Sequence, residues 1–240
     1  MKILVVNDDG YDAPGIYRLA KAAQEFGEVT VVAPEFHCSA KSHSITLRDE
    51  MRIIRRDIGL PDVPAYSLSG MPADCVRVAL YSILPEYPDI VLSGVNEGSN
   101  GGFDIAYSGT AGAALEAAMH NIHAIAFSRR GGGLDEIADA YLRSLMALLM
   151  KMPLNKGEIW NVNFPGIPLE NCRGVLWNRT AADSGVYRDK YEQRTGEDGT
   201  VYVHEVTDEI PVEKLLPGSD LRAMMEGYVS VGKVKSHVYG

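Results

Sequence analysis

Two adjacent carboxylates, Asp8 and Asp9, follow an apolar, β-branched run at residues 3–6. Such a run is typical of a buried parallel strand, and open α/β sheets bind ligands beyond the carboxyl ends of their strands. Neighbouring carboxylates repel each other and are costly to desolvate, so a hard divalent cation is one reason to place both there. The other reason is an ordinary Asp-Asp-Gly turn, and these residues alone favour neither.

Three further polar segments also follow predicted strands, at residues 34–44, 93–102 and 107–110. If the sheet is parallel, all of them reach the same edge as the acidic pair. Asn96 and Asn100 bring neutral oxygen ligands and flexible glycine neighbours. Ser108, Gly109 and Thr110 precede an alanine-rich segment, where free amides at a helix start would bind phosphate, although a serine there is also an ordinary N-cap. Taken together, the four segments indicate a phosphoester hydrolase.

The elements that must position these residues alternate between strand and helix. A helix capped by Asp12 and running to residue 26, between strands at 3–6 and 28–33, forms a β-α-β unit. The same periodicities predict further strands at 90–93, 124–128 and 159–164, and helices at 73–83, 110–120 and 134–150. We therefore expect an α/β, doubly wound, Rossmann-like and mostly parallel sheet.

The pattern changes after residue 173. Short β-like pieces at 175–177 and 201–206, separated by a polar stretch at 189–200, predict a hairpin arm within residues 174–212. An arm of this kind has little core of its own and must pack on the rest of the chain or on another subunit, which favours an oligomer. We expect a single domain over residues 1–240, with a core at about 1–173 and an arm and exchange segment at about 174–240.

Composition and net charge limit the kinds of binding partner and the cellular compartment that we expect. The 240 residues are 46% hydrophobic and 23% charged, which is ordinary for a globular protein. A formal net charge of -9 argues against general binding of duplex nucleic acid, though not against a small anion held locally. The three cysteines are widely spaced, and no apolar run is long enough to span a bilayer. We expect a cytoplasmic protein that does not bind membranes.

Much of residues 1–130 resembles the SurE family, the survival proteins that act as metal-dependent nucleotidases and acid phosphatases. The opening Ile3-Leu-Val-Val-Asn-Asp-Asp-Gly, followed by Ala13-Pro-Gly-Ile, is the most specific match. Other matches are Val31-Val-Ala-Pro, the serines at 39, 42 and 44, Gly70 with Pro72, Pro88-Asp-Ile-Val, Ser93-Gly-Val-Asn-Glu-Gly-Ser-Asn and Tyr107-Ser-Gly-Thr. Asn161-Val-Asn-Phe-Pro, Gly218-Ser-Asp and Gly227-Tyr-Val-Ser-Val are thinner matches.

The resemblance implies a three-layer α/β/α fold and hydrolysis of nucleoside 5'- or 3'-monophosphates. It implies one divalent cation per subunit, commonly magnesium or manganese, and dimers or tetramers built through C-terminal elements. The implied metal ligands are Asp8, Asp9, Ser39 and Asn96, of which Asp8 and Asp9 are also catalytic. The expected phosphate or substrate contacts are Asn7, Ser42, Asn100, Ser108, Gly109 and Thr110.

The chain departs from the family pattern around the loop serine. The family usually has a basic, glycine-containing run there, whereas this chain has Glu35-Phe-His-Cys before Ser39 and Ala40 after it. Met71 and Ala73 stand where family members often carry threonines, and residues 233–240 also depart from the family.

Metal-activated water is the expected nucleophile, while activation of water by a carboxylate general base and direct attack by Asp8 are left open. The rival function is a receiver-like, magnesium-binding signalling domain, since receivers also begin with a strand that ends in an acidic pair. A receiver needs a phosphoacceptor aspartate after its central strand, and this chain has Ser93-Gly94 there. A dinucleotide-binding enzyme is weaker still, because Asn7-Asp-Asp-Gly replaces the glycine-rich phosphate turn.

Overall fold

The computed structural model describes residues 1–188 and 190–239 and contains a nine-stranded mixed sheet. The strands are β1 (Lys2–Val6), β2 (Glu28–Pro34), β3 (Ile53–Arg56), β4 (Ala65–Leu68), β5 (Ile90–Glu97), β6 (His123–Arg129), β7 (Glu158–Phe164), β8 (Val175–Arg179), β9 (Tyr187–Arg188), β10 (Tyr191–Thr195), β11 (Val201–Glu205), β12 (Asp208–Glu209) and β13 (Val229–Lys235). The helices are α1 (Pro14–Ala23), α2 (Pro72–Val78), α3 (Asp104–Tyr107), α4 (Gly109–Met119), α5 (Glu136–Leu149) and α6 (Asp220–Met225).

The central sheet has the order β3-β4-β2-β1-β5-β6-β7-β13-β8. The strands from β4 to β7 in this order are parallel, while β3 and β13 run antiparallel to β4 and β7. The predicted doubly wound, mostly parallel sheet is therefore confirmed. Its parallel centre brings the carboxyl ends of β2, β1, β5 and β6 to one edge.

Alternation along β1 shows why the sheet is covered on both faces. Ile3 and Val5 are buried in a core with α1 and α5, whereas Leu4 and Val6 are buried in a second core with α2 and α4. Successive side chains of a strand point to opposite faces, so an unbroken apolar strand needs a helical layer on each side. The three-layer α/β/α architecture follows from this requirement.

Several predicted boundaries change. Helix α1 begins at Pro14 with Ala13 as its N-cap, so Asp12 is not the cap. The segment predicted as one helix at 73–83 is α2 followed by a π-helical turn at Ala79–Ile83. Strands β3 and β4, each four residues long, were not predicted. In particular, β3 is an edge strand whose Ile-Ile-Arg-Arg sequence does not alternate between apolar and polar residues.

The C-terminal region both extends the sheet and forms an arm. The piece at 175–177 was assigned to the hairpin, which is wrong, because β8 pairs with β13 as the edge of the central sheet. The hairpin itself is β10 paired with β11, and β9 pairs with β12 at its base. Residues along β10 and β11 are exposed, whereas Ala182, Val186, Leu215, Leu221 and Met224 form a small separate core near the base.

Asp220, the first residue of α6, joins this region to the loop after β5. Its buried carboxylate accepts hydrogen bonds from the amides of Gly102 at 3.0 Å, Ala182 at 2.9 Å and Leu221 at 2.7 Å. Burial raises the pKa of Asp220, and these backbone hydrogen bonds offset only part of that effect. The C-terminal helix is thus fastened to the segment that leads into α4.

Replacing Asp220 by Ala is expected to lower the free energy of unfolding by about 2–4 kcal/mol, because buried amide donors lose their acceptor. Urea denaturation of the full chain measures the change. The control is Asp183→Ala, at an exposed acid of the same region, expected to lie within about 0.5 kcal/mol of the wild type. Equal stabilities for the two variants would contradict the role given to Asp220.

Candidate active site

The segments after β1 and β2, the end of β5 and the start of α4 meet at the carboxyl edge of the sheet. The Cys38 amide donates to the Asp8 carbonyl at 2.7 Å, which joins the loop after β2 to the end of β1. The Glu97 amide donates to Asp9 Oδ2 at 3.0 Å, which joins the end of β5. The Thr110 hydroxyl donates to Asp8 Oδ1, which joins α4. The structure therefore brings together the segments predicted to converge.

Asp8 is almost completely buried, with 2% of its surface exposed. Burial raises its pKa to about 6, the charge of Asp9 acts in the same direction, and hydrogen bonds from the Thr110 side chain and backbone oppose it. A carboxylate in this position favours a positive partner, because desolvation penalises its charged form.

Asp9 is held from two sides. One oxygen, Oδ2, accepts from the Glu97 amide, and the other, Oδ1, lies 3.3 Å from His37 Nε2. Burial raises the pKa of Asp9, while the Glu97 amide and the charges of His37 and Arg129 moderate the rise. The two neighbouring acids are therefore both shifted toward protonation, as expected for a site that a cation would relieve.

Asn96 supplies an oxygen that lacks a partner. Its Nδ2 donates to the Gly98 carbonyl at 2.7 Å, which fixes the amide plane. Its Oδ1 is buried and has no hydrogen-bond partner among the residues that the structure describes. A buried acceptor without a partner costs about 1–3 kcal/mol, so this oxygen is suited to a ligand.

Ser39 lies in the exposed turn that follows Cys38, and its hydroxyl is 3.2 Å from His37 Nε2. His37 therefore contacts both Asp9 and Ser39, two of the four predicted metal ligands. His37 has no fixed sequence spacing to another ligand, so sequence reasoning assigns it no role.

At the start of α4, most of the groups expected to bind phosphate already make hydrogen bonds within the protein. The Ser108 hydroxyl accepts from the Ala111 amide at 2.9 Å and is the N-cap. The hydroxyl and the backbone of Thr110 both make hydrogen bonds to Asp8. A Cβ on Gly109 would lie 2.9 Å from Asp8 Oδ2, so only glycine allows the helix to approach this closely. The Gly109 amide, in the first turn, has no acceptor within the helix.

Asn7 and Ser42 hold backbone turns. The Asn7 side chain donates to the Gly10 carbonyl at 2.7 Å and accepts from the Gly10 amide at 3.3 Å, bracing the turn that carries both acids. The Ser42 amide donates to the Tyr107 carbonyl at 2.8 Å, and its hydroxyl donates to the Ala106 carbonyl at 2.7 Å. Both residues border the site, where they shape its loops.

Asn100 anchors the glycine-rich loop from beneath. Its amide donates to Asn163 Oδ1 at 2.8 Å, its side chain donates to Ser128 at 2.7 Å, and its carbonyl accepts from Asn161 at 2.8 Å. Sequence reasoning missed Ser128, Asn161 and Asn163 as supporting residues. The available signal was the pair of asparagines within an otherwise apolar strand, since buried polar side chains need partners.

Glu116 on α4 anchors the loop that carries Ser39. Its buried carboxylate lies 2.7 Å from His43 Nε2, 3.1 Å from Arg77 Nη1 and 3.2 Å from His120 Nε2. Burial alone would raise the pKa of Glu116, but the hydrogen bonds and charge of these partners outweigh it and lower the pKa. His43 is thus fixed to the helix that also positions Asp8.

Because the pKa of Glu116 is lowered in the folded state, its stabilising contribution is present above the ordinary glutamate pKa and is lost as the pH falls through the lowered value. Glu116→Gln is expected to cost about 1–3 kcal/mol at pH 7. The difference in the free energy of unfolding between the variant and the wild type should become smaller when the pH falls below the ordinary glutamate pKa. Urea unfolding of both proteins across the acidic range measures it, and a gap independent of pH would contradict the assignment.

A groove of about 510 Å³ begins beside Ser42 and Ser108 and runs between α3, α4 and the end of β13. Its walls include Ile105 and Leu115, and the Phe103 side chain stands at its side, 57% exposed. Ligand pockets of this size hold drug-sized molecules with mostly apolar walls.

The donor set at the strand ends fits a hard divalent cation. Asp8 and Asp9 offer carboxylates, Ser39 offers an exposed hydroxyl, and Asn96 offers an amide oxygen that no described residue hydrogen-bonds. Among the residues described, no three His, Cys, Asp or Glu side chains form a ready-made metal cluster, so the serine and asparagine oxygens would be required. Oxygen donors of this kind suit Mg²⁺ and Mn²⁺.

Comparison with known proteins agrees with the architecture. The family model described as Survival protein SurE matches residues 3–185. The chain belongs to the SurE family. A 5'-nucleotidase SurE from Synechococcus sp. (strain JA-3-3Ab) is 38% identical over 236 residues, which cover 96% of this chain and 90% of the relative. A 5'/3'-nucleotidase SurE from Cronobacter sakazakii (strain ATCC BAA-894) is also 38% identical, covering 96% and 88%.

The crystal structure of the SurE protein from Aquifex aeolicus has the same fold. Its TM-score is 0.84 at 31% identity, and the alignment covers 100% of this chain and 96% of that one. The SurE resemblance stated from the sequence is therefore confirmed, together with the fold it implied. In the ranges 1–188 and 190–239, no helix has the length and apolar character needed to cross a membrane.

The departure from the SurE pattern at Ala40 has a structural counterpart. Ala40 adopts φ +57°, in the left-handed region that favours glycine. The turn after Ser39 therefore keeps a glycine-like backbone in this SurE chain although the side chain is alanine.

Proposed function

We propose that this protein is a metal-dependent phosphomonoesterase that releases phosphate from nucleoside 5'- or 3'-monophosphates. The observation that carries the proposal is the acidic pair at the end of β1, buried Asp8 and half-buried Asp9, beside the start of α4 and the Asn96 oxygen that has no partner among the described residues. Relatives at 38% identity are named 5'-nucleotidase and 5'/3'-nucleotidase.

Asp8, Asp9, Ser39 and Asn96 would hold one divalent cation per subunit, Mg²⁺ or Mn²⁺ by the hardness of their oxygen donors. When bound, it supplies Lewis-acid polarisation of a phosphate oxygen and activation of water. The protein contributes the positions of these donors. Thr110 holds one Asp8 oxygen, and the Glu97 amide holds one Asp9 oxygen, leaving Oδ2 of Asp8 and Oδ1 of Asp9 for the ligand.

The Gly109 amide is placed to donate to a phosphate oxygen at the positive end of α4. The other residues predicted to contact phosphate or substrate use their side chains for hydrogen bonds within the protein. Thr110 orients Asp8, and the turns around the phosphate are held by Asn7, Ser42, Asn100 and Ser108. Water is the nucleophile in this proposal, since Asp8 is engaged by Thr110 and needed as a ligand. The phosphate is thus held by charge and by helix amides for in-line attack.

The nucleoside would lie in the groove beside Ser108, which is large enough for a base and ribose and combines apolar walls with polar side chains such as Lys233 and His237. The exposed ring of Phe103 offers a stacking surface at its side. We also propose that the chain forms one domain over residues 1–240 and is cytoplasmic. In this proposal it assembles as a dimer or tetramer through residues 174–240. The exposed hairpin of β10 and β11 supports oligomerisation, because two strands alone bury little surface.

The test is phosphate release from 5'-AMP and 3'-AMP by the purified full chain with Mg²⁺ or Mn²⁺. Activity should disappear after chelation and return on adding the cation. Full activity in metal-free protein would contradict the proposal. A stable acyl-phosphate formed from a small phosphodonor without turnover would instead support the receiver alternative, against which Ser93 stands buried in β5 at the position a receiver needs for aspartate.

A further inference from the structure

We infer that His37 is an additional protein ligand of the cation at this site, placing one imidazole nitrogen among the oxygen donors and shifting the metal preference from Mg²⁺ toward Mn²⁺ and Co²⁺. The inference rests on the proposed metal site. It concerns a residue within the segment where this chain departs from the SurE pattern.

The position of the imidazole relative to two predicted ligands carries the inference. His37 Nε2 lies 3.3 Å from Asp9 Oδ1 and 3.2 Å from Ser39 Oγ. Both distances lie at the long end of the usual N–H···O range of about 2.7–3.2 Å or just beyond it. Two donors that are each about 2.1 Å from one ion are about 3.0 Å apart at a right angle and about 3.4 Å apart at the tetrahedral angle. His37 Nε2 is thus separated from each of the two oxygens as adjacent ligands of one cation are separated from each other.

The neighbouring contacts leave these atoms available and keep them in place. Asp9 uses Oδ2 for the Glu97 amide, so Oδ1 is the oxygen that faces His37. The His37 side chain is 64% exposed, so packing does not prevent its ring from adjusting to an ion. The next residue, Cys38, is fastened to the Asp8 carbonyl at 2.7 Å, which keeps the segment at the strand ends.

A nitrogen ligand has a predictable effect on metal choice. Mg²⁺ strongly prefers oxygen donors and an ideal octahedron, whereas imidazole suits the later first-row ions. His37 would bind through the lone pair of its neutral ring. The alternative is that His37 only pairs with Asp9 in the metal-free protein and leaves when a cation binds.

Electron spin echo spectroscopy of Mn²⁺ bound to the full-length protein distinguishes these arrangements, because a directly bound imidazole produces a nitrogen coupling. The variants are His37→Gln and, as the matched control, His123→Gln at the amino end of β6, on the opposite edge of the sheet. Wild type and His123→Gln should show the coupling, and His37→Gln should lose it. Titration should show Co²⁺ affinity falling at least about tenfold in His37→Gln, with Mg²⁺ affinity changing less than about threefold.

Bound Mn²⁺ without nitrogen coupling in the wild type, or coupling that persists in His37→Gln, would overturn the inference while leaving the oxygen site intact. A wild type that binds no Mn²⁺, or an Asp9→Asn variant that binds it as tightly as the wild type, would overturn the metal site itself. The two failures are therefore separate in the same set of measurements.

Discussion

Replacing Asp9 by Asn is expected to lower kcat/KM for a nucleoside monophosphate on the order of a thousandfold. The asparagine oxygen can still accept from the Glu97 amide, as Asp9 Oδ2 does at 3.0 Å. The amide nitrogen then takes the place of Oδ1, which removes a negative charge and the proposed cation ligand at once. A metal centre contributes several kcal/mol to stabilising a phosphoryl transition state, and each 1.36 kcal/mol is about tenfold in rate.

The matched control is Asp12→Asn, an exposed acid three residues further along the same turn region. It removes the same charge from the chain but should leave kcat/KM within about threefold, since exposed substitutions away from a site have small effects. Steady-state phosphate release and thermal unfolding of both variants give the comparison. A fully active Asp9→Asn protein, or equal losses in the two variants, would rule out Asp9 as a functional ligand.

Replacing Gly15 by Ala is expected to lower the free energy of unfolding by about 3 kcal/mol. A Cβ at this position would lie 1.9 Å from the Val95 carbonyl oxygen, and the obstacle is backbone that no rotamer change can move. Helix α1 must then shift away from the end of β5, where Asn96 follows Val95. We therefore also expect the folded fraction of the variant to bind Mn²⁺ more weakly at the proposed site.

Gly131→Ala is the control for this substitution. Its new Cβ would meet its nearest neighbour, the Gly98 Cα, at 3.7 Å, which is ordinary van der Waals contact. Urea denaturation should place Gly131→Ala within about 0.5 kcal/mol of the wild type. If Gly15→Ala unfolds at the same urea concentration as Gly131→Ala, then α1 does not depend on the close approach to β5.

Local patterns predicted most of the central sheet. The apolar runs that became β1, β2, β5, β6 and β7 were recognisable because each strand is covered on both faces and reads as continuous hydrophobic sequence. Edge strands were not recognised in the same way. The edge strand β3 contains two arginines, and β8 joins the sheet only by pairing with β13, which lies about fifty residues later in the chain.

The roles of the site residues could be predicted only in part. Asp8, Asp9 and Asn96 were identified by residue type and position after a strand, and the structure places them at one sheet edge. Ser108 shows the ambiguity of such patterns, because its hydroxyl caps α4 and is already engaged. Asn100 likewise has its side chain occupied by Ser128. Sequence spacing does not reveal which polar atoms are satisfied inside the protein and which remain for a ligand.

The sequence by itself determined the strand of residues 2–6 and the acids at its end, since alternation and turn chemistry act over a few residues. Only the tertiary structure decided what those acids contact. The partners of Asp9 and Asp8 at Glu97 and Thr110 are 88 and 102 residues away. Burial, the raised pKa of Asp8 and the spacing of His37 from two predicted ligands all depend on how distant segments pack, which no local pattern encodes.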